Sequence, residues 1–417
     1  MIKQPDIIIP SSVDMPRAAQ HTAANGVKIY TLNTDDFEVV RFTFVFHAGT
    51  SMQSKPFTAS ATANMLCEGS ETMTAQQIAD ELDFYGSYFD VNIDRDYVYI
   101  SFASLSKFFD PTVKVAKDIL LNPAFEDKLL RIYCSKRKQS LMIERQKVEV
   151  QSRELFGQAL FGAEHPYGAT ANESCYDDVT RDDIMALYNR LYTANNCFIV
   201  CSGRVDSDVI KALDDIAMAL PHGTLHDVIF PAVHTTHKLH KEIDTALQSS
   251  IRIGRLLFPR SHPDFVSMQV VATILGGYFG SRLMQNLREE HGYTYGVMAA
   301  MVNFDHEGYL AIATQVGKEH RDNALKEIYA EIETLRHELI SEEELQMVQN
   351  IMIGETLRIL DGPFGIADVT IENIMCGCDN SATEECVKTI FAMTPERVRE
   401  LCKKYLCRED LIEVVVG

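Results

Sequence analysis

The chain has 417 residues, 46% of them hydrophobic and 24% charged, with 39 basic against 59 acidic side chains and a formal net charge of −20. That length suits two domains of about 200 residues better than one core, and the composition excludes a disordered or fibrous chain. The acidic balance, with no cluster of Lys and Arg among aromatics, argues against nucleic acid and anionic membranes as partners.

In chain order, Met1 to Ala24 carries Pro5, Pro10, Pro16 and scattered charge, with no apolar run long enough for a signal peptide or a membrane helix. A cytoplasmic location is therefore expected. The 10 cysteines show no disulfide-framework spacing, and Cys197 and Cys201 fall in an apolar run where a thiol behaves as a small hydrophobe, which fits a reducing compartment. Cys376 and Cys378 are close enough to oxidise or to bind metal. The apolar run Phe42 to Phe46 predicts a strand, with His47 as a hydrogen-bonded residue at its end. Ser101-Phe-Ala-Ser-Leu105 predicts a half-buried strand leading to an amphipathic helix over Pro111–Leu121, and Ala311-Ile-Ala-Thr-Gln315 leads in the same way to a helix over Arg321–Leu335. His165, in Glu164-His-Pro-Tyr-Gly168, reads as a loop residue. Residues 221–240, with two prolines and no clear period, predict a connecting segment. His234, His237 and His240 within it recur every third residue without acidic or helical neighbours, which is the pattern of an exposed segment more than of a metal site.

The chain is internally duplicated. Thr180 to Tyr192, with Phe198 to Gly203, aligns without a gap onto Thr394 to Leu406, with Ile412 to Gly417, at a constant offset of 214 (394 − 180). Each copy opens on a threonine N-cap with an acid, Asp182 or Glu396, in the first turn where the helix dipole favours it. Ile184, Leu187 and Leu191, like Val398, Leu401 and Tyr405, repeat at helical spacing before an apolar strand. Strands alternating with helices in this way predict sheets covered by helices on one face.

Three segments carry a family resemblance when set beside this duplication: Gly49-Thr-Ser-Met-Gln53, Ser60-Ala-Thr-Ala-Asn-Met-Leu-Cys-Glu-Gly-Ser70 and Thr74 to Gly86. Over nearly its whole length the chain resembles the short, two-half members of the pitrilysin-like (M16) peptidase family. The resemblance implies an α+β protein of the LuxS-like metallohydrolase fold, with two duplicated halves, 1–220 and 241–417, each a mostly antiparallel sheet covered by helices on one face. Active members carry His-x-x-Glu-His on a helix, where histidines four apart bind one zinc and the glutamate polarises a water. Met65-Leu-Cys-Glu-Gly-Ser70 sets the register, so the histidine positions are Ser60 and Asn64 and the glutamate position is Ala63. Phe57 replaces the glycine that usually opens the motif, and Glu144, in Ser140-Leu-Met-Ile-Glu-Arg145, is out of register for the third ligand. Neutral Ser and Asn are poor zinc ligands and Ala is no base, so no metal is expected in this chain.

The second half keeps its signature: Leu275-Gly-Gly-Tyr-Phe-Gly-Ser-Arg-Leu283, Leu287-Arg-Glu289 and Gly292-Tyr-Thr-Tyr295. A glycine-rich turn is expected to enter a helix with Leu283 and Leu287 inward and Gly292 as its stop, followed by a strand from Tyr293. The turn lacks the Lys-Ser/Thr of a phosphate loop. By resemblance Arg288 and Tyr295 bind peptide substrate, the first through its planar fork of donors and the second through its hydroxyl. The bland alternative is a surface ion pair of Arg288 with Glu289 and a Tyr295 half-buried in its sheet. The implied function is the non-catalytic subunit of a heterodimeric zinc endopeptidase, with zinc in a partner that keeps His-x-x-Glu-His and peptide or unfolded polypeptide as substrate. Two rivals stand beside it: a purely structural subunit of a larger complex, and a metallopeptidase with unconventional ligands such as Glu144 and the histidines of 221–240.

Overall fold

The computed structural model describes residues 10, 12–224 and 230–417, so residues 225–229 of the expected connection lie outside the described residues. Two units result: Ala18–Thr236, and His237–Gly417 together with the described residues before Ala18.

The first unit runs β1 (Ala19–Thr22), β2 (Lys28–Asn33), β3 (Val39–Phe46), α1 (Thr58–Met65), α2 (Ala75–Tyr85), β4 (Tyr88–Ile93) and β5 (Val98–Leu105). It continues with α3 (Phe109–Leu121), α4 (Asp127–Glu144), α5 (Val148–Phe161), α6 (Glu173–Asp178), α7 (Arg181–Leu191), β6 (Cys197–Gly203) and α8 (Ser207–Ala219). The sheet order is β1-β2-β6-β3-β5-β4, antiparallel except where β6 lies parallel to β2. Along β5, Val98, Ile100 and Phe102 are buried and alternate with half-buried Tyr99, Ser101 and Ala103, which is the two-residue period of a sheet with one dry face. On that face Phe42, Phe102 and Phe89 lie directly opposite one another. Their rings stack at 5.4 and 4.7 Å, and Phe109 of α3 packs edge-on against Phe42 at 5.6 Å. Thr180 caps α7 through a reciprocal pair with Asp183, as the sequence predicts.

The second unit runs β7 (Lys238–Lys241), β8 (Gln248–Leu256), α9 (Phe265–Ala272), β9 (Thr294–Asn303), β10 (Gly308–Gly317), α10 (Arg321–His337), α11 (Glu342–Ile359), α12 (Pro363–Met375), α13 (Ser381–Phe391), α14 (Pro395–Tyr405) and β11 (Ile412–Val416). Its order, β7-β11-β8-β10-β9, repeats the first sheet without β1, again with one parallel pair, β7 with β11. The duplication holds at the level of single residues. Cys201 pairs with Thr31 and Phe42, and Val415, its counterpart in the repeat, pairs with His240 and Ile251.

Three details differ from the sequence reading. Strand β7 begins inside the expected connection, so His240 is a strand residue whose Nε2 lies 3.1 Å from Glu242. The described residues before Ala18 group with the second unit and not with the expected first half 1–220, and Asn380 donates to the carbonyl of Pro16 at 2.7 Å. The glycine-rich stretch is also wider than an ordinary helix: Thr273–Gly277 and Met284–Glu290 adopt π-helical geometry, which often accompanies functional sites.

Asp264 fastens the start of α9 to α14. Its carboxylate accepts from Arg397 at 2.5 Å, Lys404 at 3.0 Å and the Tyr405 hydroxyl at 2.6 Å. Burial alone would raise its pKa, but the hydrogen bonds from Tyr405 and Lys404 and the Lys404 and Arg397 charges hold it below the ordinary aspartate value. A depressed carboxylate contributes stability that is complete above the unfolded pKa of about 3.9 and is lost as pH falls through the lower folded value. Asp264→Asn should therefore cost about 1–3 kcal/mol near neutrality, and the gap from wild type should close in strong acid. Urea denaturation at the two pH values checks both expectations.

Candidate functional site

The four-residue spacing of Ser60 and Asn64 does place them on one face of α1, but the donor set does not fit a zinc ion. Asn64 Nδ2 folds back along the helix and donates to the Ser60 carbonyl at 2.8 Å, the local back-bonding open to short polar side chains. Ala63 is fully buried and offers no base. Glu144 ends α4, and the neighbouring Arg145 is committed to Glu154 at 3.0 Å and to the Ala171 carbonyl at 2.7 Å. His234 belongs to the first unit, where its backbone N–H donates to the Phe161 carbonyl at 3.3 Å, whereas His237 and His240 belong to the second. His165 lies in a loop but is buried, accepts from the Tyr167 N–H at 3.1 Å and stacks on Phe161 at 5.4 Å, so it organises its loop. His47 follows β3, donates from its backbone to Asn196 at 3.3 Å and stacks on Tyr97 at 5.1 Å.

Beside α1 stands a packed aromatic group that sequence reasoning missed. Phe57 precedes the helix with φ 73, a left-handed conformation that costs a bulky residue about 1 kcal/mol or more. Its ring is buried, stacked on Tyr133 at 5.8 Å and against Tyr176 at 4.2 Å. Burial pushes the Tyr133 phenol up to about 12 despite the nearby Arg137 charge, and it raises Tyr176 as well, so both stay protonated and neither offers a phenolate. The replacement of the family's glycine was the available signal, since a position whose φ favours glycine carries a ring. Phe57→Gly should relieve the backbone yet lose the packing, for a net destabilisation of about 2–3 kcal/mol measurable by chemical denaturation.

The other predicted residues sit on a rigid frame. Arg282 forms a bidentate pair with Glu344 of α11, both contacts at 2.8 Å, and Asn286 donates to Glu331 of α10 at 3.0 Å. Leu283 and Leu287 are fully buried, as their spacing predicts. Tyr293 N–H closes the helical end on the Leu287 carbonyl at 2.8 Å, and Gly292, at φ 65, turns the chain into β9. Gly276 brings the preceding turn against that strand so closely that a Cβ would meet the Ala299 nitrogen at 2.7 Å. Thr314 donates to the Gly296 carbonyl at 2.9 Å, next to a shift in the β9–β10 register.

On this frame Tyr295 is 92% exposed on an edge strand, not half-buried in its sheet. Arg288 lies on the segment that packs against β9. Its guanidinium covers the ring of Phe279 at 4.5 Å, its Nε is a loose 3.5 Å from Glu289, and Phe279 itself is 62% exposed. The arrangement offers exposed donors and an aromatic face beside the backbone of an edge strand.

Two duplicated α+β halves of this sheet order, with the second-half signature nearly complete, give the chain its likeness to the pitrilysin-like (M16) family. Residues 178–352, which include Arg288 and Tyr295 but not α1, match the family model described as the peptidase M16 inactive domain. The chain is 20% identical to an uncharacterized zinc protease YmxG of Bacillus subtilis, over 95% of this chain and 97% of that one. It is also 20% identical to the mitochondrial-processing peptidase subunit beta of Caenorhabditis elegans, over 98% of this chain and 91% of that one. The crystal structure of a peptidase M16 inactive domain from Pseudomonas fluorescens superposes with a TM-score of 0.88 at 23% identity, covering 96% of this chain and 98% of that one, which is a likeness of fold.

Proposed function

We propose that this chain is the non-catalytic subunit of a two-chain metalloendopeptidase, paired with an M16 chain that keeps His-x-x-Glu-His and carries the zinc. The single observation behind this reading is the contrast between the two halves. In α1 the ligand positions are Ser60, Ala63 and Asn64, with Asn64 turned back onto its own helix, while in the second unit Tyr295 stands 92% exposed beside a clamped Arg288 segment. A tyrosine this exposed buries little surface and so adds little to folding. As a ligand-binding group it adds a hydroxyl donor, and Arg288 adds a planar fork for peptide carbonyls or a carboxylate. The substrate is an extended peptide, held largely through its backbone and so with weak sequence preference. That one relative is by name a subunit supports pairing. Among the described residues no helix is long and apolar enough to cross a membrane, and we assign the complex to the cytoplasm.

The purified chain should neither retain stoichiometric zinc nor cleave unfolded polypeptide. Mixed with an M16 chain of intact motif from the same source, it should co-elute on size exclusion and support chelator-sensitive cleavage. Arg288→Ala or Tyr295→Phe should reduce that cleavage by about 10- to 100-fold without disturbing co-elution. Unchanged cleavage in both variants would convert the reading to a purely structural subunit, and zinc-dependent activity of the lone chain would overturn it in favour of unconventional ligands.

A further inference from the structure

The repeat shows what the second unit has done with a place that the first unit fills. In the first unit Ile29 of β2 and Ile199 of β6 lie directly opposite each other, both fully buried, and α8 packs over α3 and β2 to keep that corner dry. The same ladder position in the second unit is Lys238 of β7 opposite Glu413 of β11. Two isoleucines have become an ion pair of 2.8 Å. Covering such a pair with a helix would strip both charges of water at a cost their attraction does not repay, whereas two isoleucines gain from being covered. Among the described residues of the second unit no helix takes the place of α8. The corner is instead an open cavity of about 410 Å³ between α10, β7 and β11.

Its lining sorts by charge that is committed and charge that is not. Glu413 is nearly buried and has both oxygens engaged, one by Lys238 at 2.8 Å and one by the Tyr329 hydroxyl at 3.0 Å. Glu333 is held by Arg336 at 2.5 Å and His337 at 3.2 Å, and Asp322 by Arg321 at 2.9 Å. The cations are less occupied. Lys238 is 73% exposed beyond its one contact. Arg408 lies over the Tyr329 ring at 4.3 Å, and neither it nor Lys326 has a carboxylate within ion-pair distance among the described residues. Stacking fixes the plane of the Arg408 guanidinium and leaves its N–H edge for an acceptor. Leu325 and Ala330 supply an apolar wall. A volume of this size is that of a small-molecule site, and its available groups are donors.

We propose that this cavity binds a small organic oxyanion, a carboxylate or phosphate carried on an apolar body, with Arg408, Lys326 and Lys238 as the anion contacts and Leu325 and Ala330 against the body. The charged floor excludes an apolar helix as the natural occupant, although a helix fills the equivalent corner of the first unit.

The test is titration of the full chain by calorimetry, or by NMR of its backbone amides, with benzoate, phenyl phosphate and benzylamine at matched ionic strength. One or both anions should bind, the stronger identifying the preferred oxyanion, and benzylamine should not. Arg408→Ala and Lys326→Ala, both at exposed positions, should each weaken the anion by about 10-fold or more. Lys211→Ala in α8 should leave binding unchanged. The proposal falls if neither anion binds at millimolar concentration, if benzylamine binds as well as they do, or if affinity is the same in Arg408→Ala as in wild type.

Discussion

The last strand of each half is inserted between two early strands, β2 and β3 in the first and β7 and β8 in the second, and the rest of the half depends on that insertion. β6 lies parallel to β2 and antiparallel to β3, and β11 stands likewise between β7 and β8. Every residue of β11 is buried, as expected of a central strand with both neighbours paired. Until that strand arrives the sheet is split, because the long helical excursion separates it in sequence from its partners. The capping threonines, Thr180 and Thr394, set where the helix leading into each inserted strand begins, and so help fix the register with which the sheet closes. A one-residue slip would turn the buried set outward.

In the proposed function the far edge of the closed sheet is the working surface. In the second unit this is β9, held in place from two sides. Gly276 admits direct backbone contact with Ala299, and Arg282 and Asn286 tie the preceding π-helical turn to acids on α10 and α11. Arg282 of the Ser-Arg-Leu signature is thus a positioning residue, with its guanidinium spent on Glu344, while Arg288 and Tyr295 are left outward. In the first unit the entry to α1, which follows β3 as α9 follows β8, is filled for packing: Phe57 has a left-handed φ and stacks with Tyr133 and Tyr176. At the equivalent entry to α9 the second unit carries Asp264, tied to Arg397, Lys404 and Tyr405.

The parallel strand pair of each sheet shows a contrast in the same sense. There the first unit is apolar and covered, through Ile29, Ile199 and α8, while the second carries Lys238 and Glu413 and stays open. Duplication preserved the ladder positions exactly as the hydrogen bonds require, but it did not preserve what the side chains at those positions do. In both places the first half packs aromatic or aliphatic side chains where the second carries charged ones.

Much of this was legible in the sequence. The duplication, the threonine caps and the strand–helix pairs at 101–121 and 311–335 follow from local period, capping chemistry and residue type, none of which needs a distant partner, and the loss of ligands at Ser60, Ala63 and Asn64 is what the family resemblance implies. The α+β class follows from their order. What only the tertiary structure decided is everything set by long-range pairing: that β7 arises within the histidine-rich stretch because β11 recruits it, that His165 is buried, that Tyr295 is exposed where alternation alone allowed either face, and that Lys238 meets Glu413. These partners are separated by up to most of a domain in sequence, and the free energy of bringing them together is determined by packing and desolvation around both, which no local window of residues contains.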